Sequence, residues 1–338
     1  MPGLGCAGYP SIGVFFHGWA TPDRQDAEVL DEILESTERA DRLGFDIAWY
    51  TEQHTHSFGN IWGRVAAPQL LIANAAARTD TIGLGSAVRL AADVNASTLV
   101  EEMLTLDALT DGRAQFGFGA GMAGVGQGYR SRELRRTALR TRVGEVADML
   151  EGRRHATREP MAMQIRDLSD RIHVASIDER TIELAACRGF GYFAGLFGGA
   201  RQAELVRSFR AAGGQGPAHA VRMVFVGADD TEARDFAEPA VMQFWSNFTP
   251  PSPQWRTDVA KAGTMTYEQI TAELGWIVGG PESVTRDLRR YMAECGLDGI
   301  DVSFHAPGLD SASADRSMER FARRVLPGIR ASARLNCG

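Results

Sequence analysis

Several short phrases of this sequence carry side chains able to do chemistry, and each follows an apolar run. His17 comes directly after Ile-Gly-Val-Phe-Phe. A histidine with an ordinary pKa near 6.5 can act as acid or base, or orient an oxyanion, at neutral pH. Thr51-Glu52-Gln53-His54-Thr55-His56-Ser57-Phe58-Gly59 follows a second run, and Glu52 and His54 read there as supports of a pocket. Ser86, Ala87 and Val88 close a third run with small side chains. Gly117-Phe118-Gly119-Ala120-Gly121 ends a fourth; glycines there let a ligand approach the backbone. Ser176 to Thr181 opens a helix, where free N–H groups and hydroxyls favour an anion. His305 follows the last run, and Phe58 and His305 are candidate pocket walls. The four cysteines, Cys6, Cys187, Cys295 and Cys337, are far apart, and no spacing suggests a zinc site.

These phrases need elements to hold them. Short β-branched or aromatic runs alternate with longer runs of helical period. Strands are expected at 12–16, 45–50, 81–88, 113–118, 171–175, 191–194, 219–226 and 299–304. Helices are expected at 27–43, 65–78, 97–109, 131–150, 178–188, 202–212, 231–247, 282–294 and 314–325. Gly44 and Asp111-Gly112 read as helix stops. Eight strands, each paired with a helix, imply parallel pairing through right-handed crossovers. The closed solution is a single α/β domain over 1–338, a (β/α)8 TIM barrel with its site at the strand C-termini. No GxGxxG follows the first strand, which disfavours an open dinucleotide-binding sheet. Residues 248–280, with Pro250, Pro251 and Pro253 and an apolar stretch to Trp276, read as an insertion after strand seven.

Composition narrows the function classes. The chain has 338 residues, enough for a large buried core. Its net charge of −7, with Lys261 the only lysine and no basic block, disfavours nucleic acid as a partner. No run reaches the roughly 20 apolar residues of a membrane span, and the start lacks a secretory pattern. The cysteine usage fits a reducing cytoplasm.

The phrase from Ala40 to His54, ADRLGFDIAWYTEQH, resembles the bacterial luciferase-like flavin enzymes, where A-x-x-x-G-F-D leads into W-x-x-E-H-H. Residues 82–88 (IGLGSAV), 105–113 (TLDALTDGR), 117–119 (GFG), 173–176 (HVAS), 183–186 (ELAA) and 279–284 (GGPESV) follow in family order. The resemblance runs from about residue 12 to about residue 330. It implies a (β/α)8 barrel that binds FMN, or its deazaflavin analogue F420, at the strand C-termini. It also implies a non-prolyl cis peptide at Ala87–Val88.

On that resemblance, Ser86, Ala87, Val88, Gly117, Gly119, Ala120, Gly121, Ser176 and Thr181 are cofactor positions. His17, Gln53 and His54 are catalytic positions, and Glu52, Phe58 and His305 line the substrate pocket. The departures carry information. The first histidine of the family's E-H-H pair is Gln53, and its phosphate-binding arginine after strand four is Ala120. A phosphate-binding serine is replaced by Ile177 or Asp178, and Asp178 would repel a phosphate. The Arg-rich start of the fourth helix, with Arg130 nearest, could replace the missing cation. The implied activity is a monooxygenase that uses reduced FMN from a separate flavin reductase, with O2, on a small organic substrate. The alternatives are F420-dependent hydride transfer and a weak or non-catalytic flavin binder. The family also implies a homodimer, for which 65–77 is an apolar candidate face. Trp245, Trp255 and Trp276 place the insertion at the pocket.

Overall fold

The computed structural model describes residues 10–54, 62–121, 131–153, 163–195, 198–247 and 265–335. Its strands are β1 (Ser11–Phe16), β2 (Trp19–Ala20), β3 (Ile47–Tyr50), β4 (Trp62–Gly63), β5 (Gly83–Leu90), β6 (Ala114–Gly119), β7 (Ile172–Ala175), β8 (Gly191–Phe193), β9 (Ala218–Val226), β10 (Ile277–Gly279) and β11 (Gly299–Ser303). Its helices are α1 (Asp26–Leu43), α2 (Pro68–Ala76), α3 (Ala96–Leu109), α4 (Arg132–Leu150), α5 (Glu179–Cys187), α6 (Gly199–Ala211), α7 (Asp230–Asn247), α8 (Tyr267–Leu274), α9 (Pro281–Cys295), α10 (Ser311–Arg320) and α11 (Leu326–Leu335). Eight strands pair in parallel in the cycle β1–β3–β5–β6–β7–β8–β9–β11, and β11 pairs back to β1. This is the expected (β/α)8 barrel.

Strand alternation sorts the side chains into two cores. Ile12, Val14 and Phe16 of β1 join the large cluster shared with the helices. Phe15 points the other way, into a cluster with Ile47, Trp49, Ala87, Phe193 and Val221 that fills the barrel interior. Deeper polar groups there are paired across the ring. Trp49 Nε1 donates to Asp301 Oδ1 at 2.9 Å, and His219 Nδ1 lies 3.2 Å from Asp301 Oδ2. His173 Nε2 lies 3.2 Å from Gln115 Oε1.

Several expected boundaries shift for local reasons. The helix expected from 65 starts at Pro68, because Val65 O instead accepts from Gln53 N at 2.8 Å. Proline fits the first turn, where its missing N–H costs nothing. Helix α5 starts one residue after Asp178, which serves as its N-cap. The last helix does not stop at 325: α10 continues through a π-turn at Phe321–Val325 into α11. Gly44 is the left-handed stop of α1 (φ 81°), as expected.

Part of the expected insertion lies outside the described residues, at 248–264. The rest forms α8 and β10, and β10 runs parallel to the end of β9 (Ile277↔Val224). Met223 and Phe225 of β9 gather Phe244 and Trp245 of α7, Ile270 of α8, and Trp276 into a third apolar cluster. No helix among the described residues is long and apolar enough to cross a membrane.

Candidate active site

The C-terminal ends of the barrel strands bring most of the expected residues to one face. Strand β5 pairs with β6 through Ser86↔Phe116 and then Arg89↔Phe118, so one extra residue bulges on β5. The Ala87–Val88 peptide in this bulge is cis, as the resemblance implies. Ser86 Oγ donates to Gly117 O at 3.2 Å, which ties the two strand ends together. A Cβ on Gly117 would collide with Ser86 O, and one on Gly119 with the Val88 side chain. Both glycines therefore serve the close approach of the β5 bulge. Gly121 sits at φ 68°, where a side chain is disfavoured, and Ala120 packs against the main core.

Glu52 is buried and fully engaged. Its Oε1 accepts from Arg89 Nη1 at 2.7 Å and lies 2.7 Å from His54 Nε2. Its Oε2 accepts from Leu90 N at 2.7 Å. Arg89 also grips Glu102 of α3 through Nε (3.1 Å) and Nη2 (3.2 Å). Glu52 and His54 thus form the near end of a charged chain that fixes the β5 bulge. Arg89 and Glu102 escape a reading by strand alternation, because the bulge re-aims Arg89. The one available signal is an arginine set between Val88 and Leu90 in an apolar strand end. Gln53 turns towards Gly63 of β4, where a Cβ would strike its side chain, and its Oε1 has no hydrogen-bond partner among the described residues.

His17 stands apart from these pairs. It is 7 % exposed, its ring stacks on Trp19 (3.8 Å, 9° between planes), and Phe15 flanks it at 4.7 Å. Burial lowers its pKa to about 3, so the ring is neutral at physiological pH. Its Nε2 has no hydrogen-bond partner among the described residues. A small cavity of about 40 Å³ touches it, lined also by Phe16, Trp19, Glu32 and His305. His305 lies across that cavity with Nε2 3.4 Å from Ser36 Oγ. Its surroundings are close enough that burial lowers its pKa to about 4, despite the opposing pull of Glu32. Trp19 in turn meets Phe244 of the insertion cluster at 5.2 Å, and Phe244 meets Trp276 at 4.9 Å. Trp245 of α7 and Trp276 are therefore buried in this third cluster, which reaches the site through the contact of Phe244 with Trp19. His56, Phe58, Arg130 and Trp255 lie outside the described residues.

The start of α5 lies beside the β6 end, since Gly119 pairs with Ala175 of β7. Asp178 Oδ2 accepts from Thr181 N (3.1 Å), Thr181 Oγ1 (2.7 Å) and Arg140 Nη1 of α4 (2.6 Å). Arg136 Nη1 stands 3.7 Å from Oδ1. Ser176 Oγ accepts from Asp178 N at 3.0 Å. Burial opposes the charge on Asp178, but the Thr181 bonds and the two arginines outweigh it and hold the carboxyl below the usual carboxylate range. Among the described residues no group of acids, histidines and cysteines is arranged to hold a metal ion.

The model of the luciferase-like monooxygenase family matches residues 11–299. A monooxygenase of Streptomyces bottropensis has the same fold, with a TM-score of 0.75 at 20% identity over 94% of this chain and 99% of its own. The oxygenating constituent of 3,6-diketocamphane monooxygenase from Pseudomonas putida, solved with FMN, matches with a TM-score of 0.72 at 19% identity over 94% and 98%. An F420-dependent secondary alcohol dehydrogenase matches with a TM-score of 0.68 at 15% identity over 95% and 99%. At these identities the structures share the fold alone with this chain.

Proposed function

The chain belongs to the luciferase-like monooxygenase family, and from that membership we propose that it is a reduced-flavin-dependent monooxygenase acting on a small organic substrate. The observation that carries this reading is the state of the polar groups at the barrel mouth. Glu52, His54 and Arg89 are spent on one another, while His17 keeps a buried Nε2 with no described hydrogen-bond partner. A neutral, aromatic-clasped imidazole in a largely apolar site suits orientation of a reactant and exclusion of water.

The residues present fit the ring of a flavin better than its phosphate. Ser86, Ala87 and Val88 offer a wall of modest side chains above the apolar interior formed by Phe15, Ala87 and Phe193. At the α5 end, Asp178 already takes the donors that a phosphate would need. When bound, a reduced flavin supplies the electrons that activate O2. The chain's own part is to shield the reaction with the interior aromatics and the insertion cluster, and to offer His17 Nε2 as a hydrogen-bonding contact. In this reading the flavin arrives reduced from a separate flavin reductase in the cytoplasm, and the protein works as a homodimer.

F420-dependent hydride transfer is the second reading, favoured by the fold shared with the F420-dependent alcohol dehydrogenase. One titration separates them: the purified protein with oxidised FMN, reduced FMN and F420, followed by fluorescence and calorimetry. The monooxygenase reading expects reduced FMN to bind more tightly than F420, and oxidised FMN weakly, so that the protein purifies colourless. Preferential binding of F420 would overturn it.

A further inference from the structure

We propose that Asp178 is an internal anion that closes the phosphate-binding donor cluster at the start of α5, so that this chain recognises a flavin by its ring and not by its terminal phosphate. The proposal rests on the flavin reading of the site. Its observations are the donors that converge on one carboxylate. Two come from Thr181 and one from Arg140, with Arg136 close behind. A backbone N–H, a hydroxyl and two guanidiniums beside a barrel strand end are the contacts a phosphate group uses. Here they are all turned towards an acid that the chain itself supplies.

Capping does not require that acid. Serine, threonine and asparagine cap a helix as well as aspartate does. What aspartate adds is a full negative charge, and the arginine pair cancels it. The side chain of Asp178 is 14 % exposed and that of Arg140 17 %, so water screens the pair only partly. Arg140 is held further by Glu133 at 3.3 Å and by Thr137 Oγ1 at 2.9 Å. A phosphate dianion approaching this cluster meets a carboxylate on donors that are already satisfied. Like charge repels it. Among the described residues, the two arginines that face this cluster, Arg136 and Arg140, are already turned to Asp178, so they do not repay the desolvation of a second anion. A flavin's tricyclic ring carries no such requirement, and riboflavin and FMN share that ring.

The test compares riboflavin with FMN on the full-length protein at one ionic strength and at pH 8, where the phosphate is a dianion. Dissociation constants are measured for the native protein, Asp178→Ser, Asp178→Asn, and Asp178→Ser combined with Arg140→Gln. Both single variants keep a helix cap, and circular dichroism with a thermal melt confirms that they fold. The native protein is expected to bind FMN and riboflavin within about threefold of each other. Asp178→Ser should favour FMN by about tenfold to a hundredfold, the size of one or two charge-assisted hydrogen bonds. Asp178→Asn should favour it less, and Arg140→Gln should cancel the gain. A native preference for FMN of tenfold or more overturns the proposal, and so does an unchanged ratio in Asp178→Ser.

Inorganic phosphate is the second probe. It should raise the melting temperature of Asp178→Ser and leave that of the native protein unmoved. If phosphate stabilises Asp178→Ser while no flavin binds either protein, the closed anion cluster stands and the flavin reading falls. If phosphate leaves Asp178→Ser unmoved, Asp178 is a helix cap and nothing more.

Discussion

His17, His173 and His305 have pKa values lowered to about 3, 3 and 4, in each case chiefly by burial. An unfolded histidine takes up a proton near pH 6.5, whereas these stay neutral in the fold until pH 3–4. Between those limits the unfolded state binds more protons than the folded state. Stability should therefore fall as the pH drops from about 6.5 towards 3, and be flat in these groups above 6.5. His219 carries the opposite sign. Burial works against its charge, but Asp301 beside it, with Asp298 and Asp46 further off, raises its pKa overall. Its contribution is complete below about pH 6.5 and is lost as the pH rises through its folded value. Urea midpoints of the native protein and His173→Gln, measured from pH 7 to pH 4, check the first statement. The variant should show a shallower acid limb, and an identical slope would show that His173 is protonated in the fold. Sequence places histidines at strand positions, but it cannot say that one faces an acid and the other an amide.

Among the elements, the end of β5 depends most on distant residues. Glu52 of the β3 end, Arg89 of the bulge and Glu102 of α3 form one chain, buried at Glu52 and partly buried at the other two, and Leu90 N joins it. Replacing Glu52 by Ala strips Arg89 of one of its two carboxylates and leaves Leu90 N without its acceptor. A loss of about 3 kcal/mol is expected, at the low end for a broken buried pair because Glu102 remains. Denaturant unfolding reads it directly. A change below about 0.5 kcal/mol, the level of an ordinary surface substitution, would show that the chain is not structural. The variant should also weaken flavin binding, because the chain holds Ser86–Val88 in place. Most of this element was legible beforehand: its strand character, its small residues and its cis peptide all follow from residues 82–88 and the family phrase they match. The length of β5 to Leu90 and the role of Arg89 were not. A bulge changes the side to which later residues point, and alternation alone cannot register one extra residue.

At the scale of the whole molecule, α2 presents Leu70 at 69 % exposure, with Ala66 and Ala77 exposed and Ala73 half-buried on the same stretch. An apolar side chain so open on a helix suits a self-complementary contact between two copies. Leu70→Glu should convert a dimer to a monomer in light scattering after size exclusion, with the melting temperature of the barrel little changed. A native monomer at micromolar concentration would sink the homodimer reading. The interior argues at the same scale. Trp49 and Asp301 are 252 residues apart in the chain and 2.9 Å apart in the barrel. Local pattern sufficed for the eight strands, most of their helices and the closed barrel, because periodicity and turn residues act over a few positions. It also marked Asp178 as a poor neighbour for a phosphate. Only the closed ring decided which polar atoms are consumed and which remain. Whether His17 keeps its Nε2, whether Glu52 is spent on Arg89, and whether Arg136 and Arg140 face Asp178 all depend on contacts between elements. Such contacts are set by burial and strand register, which no single stretch of chain contains.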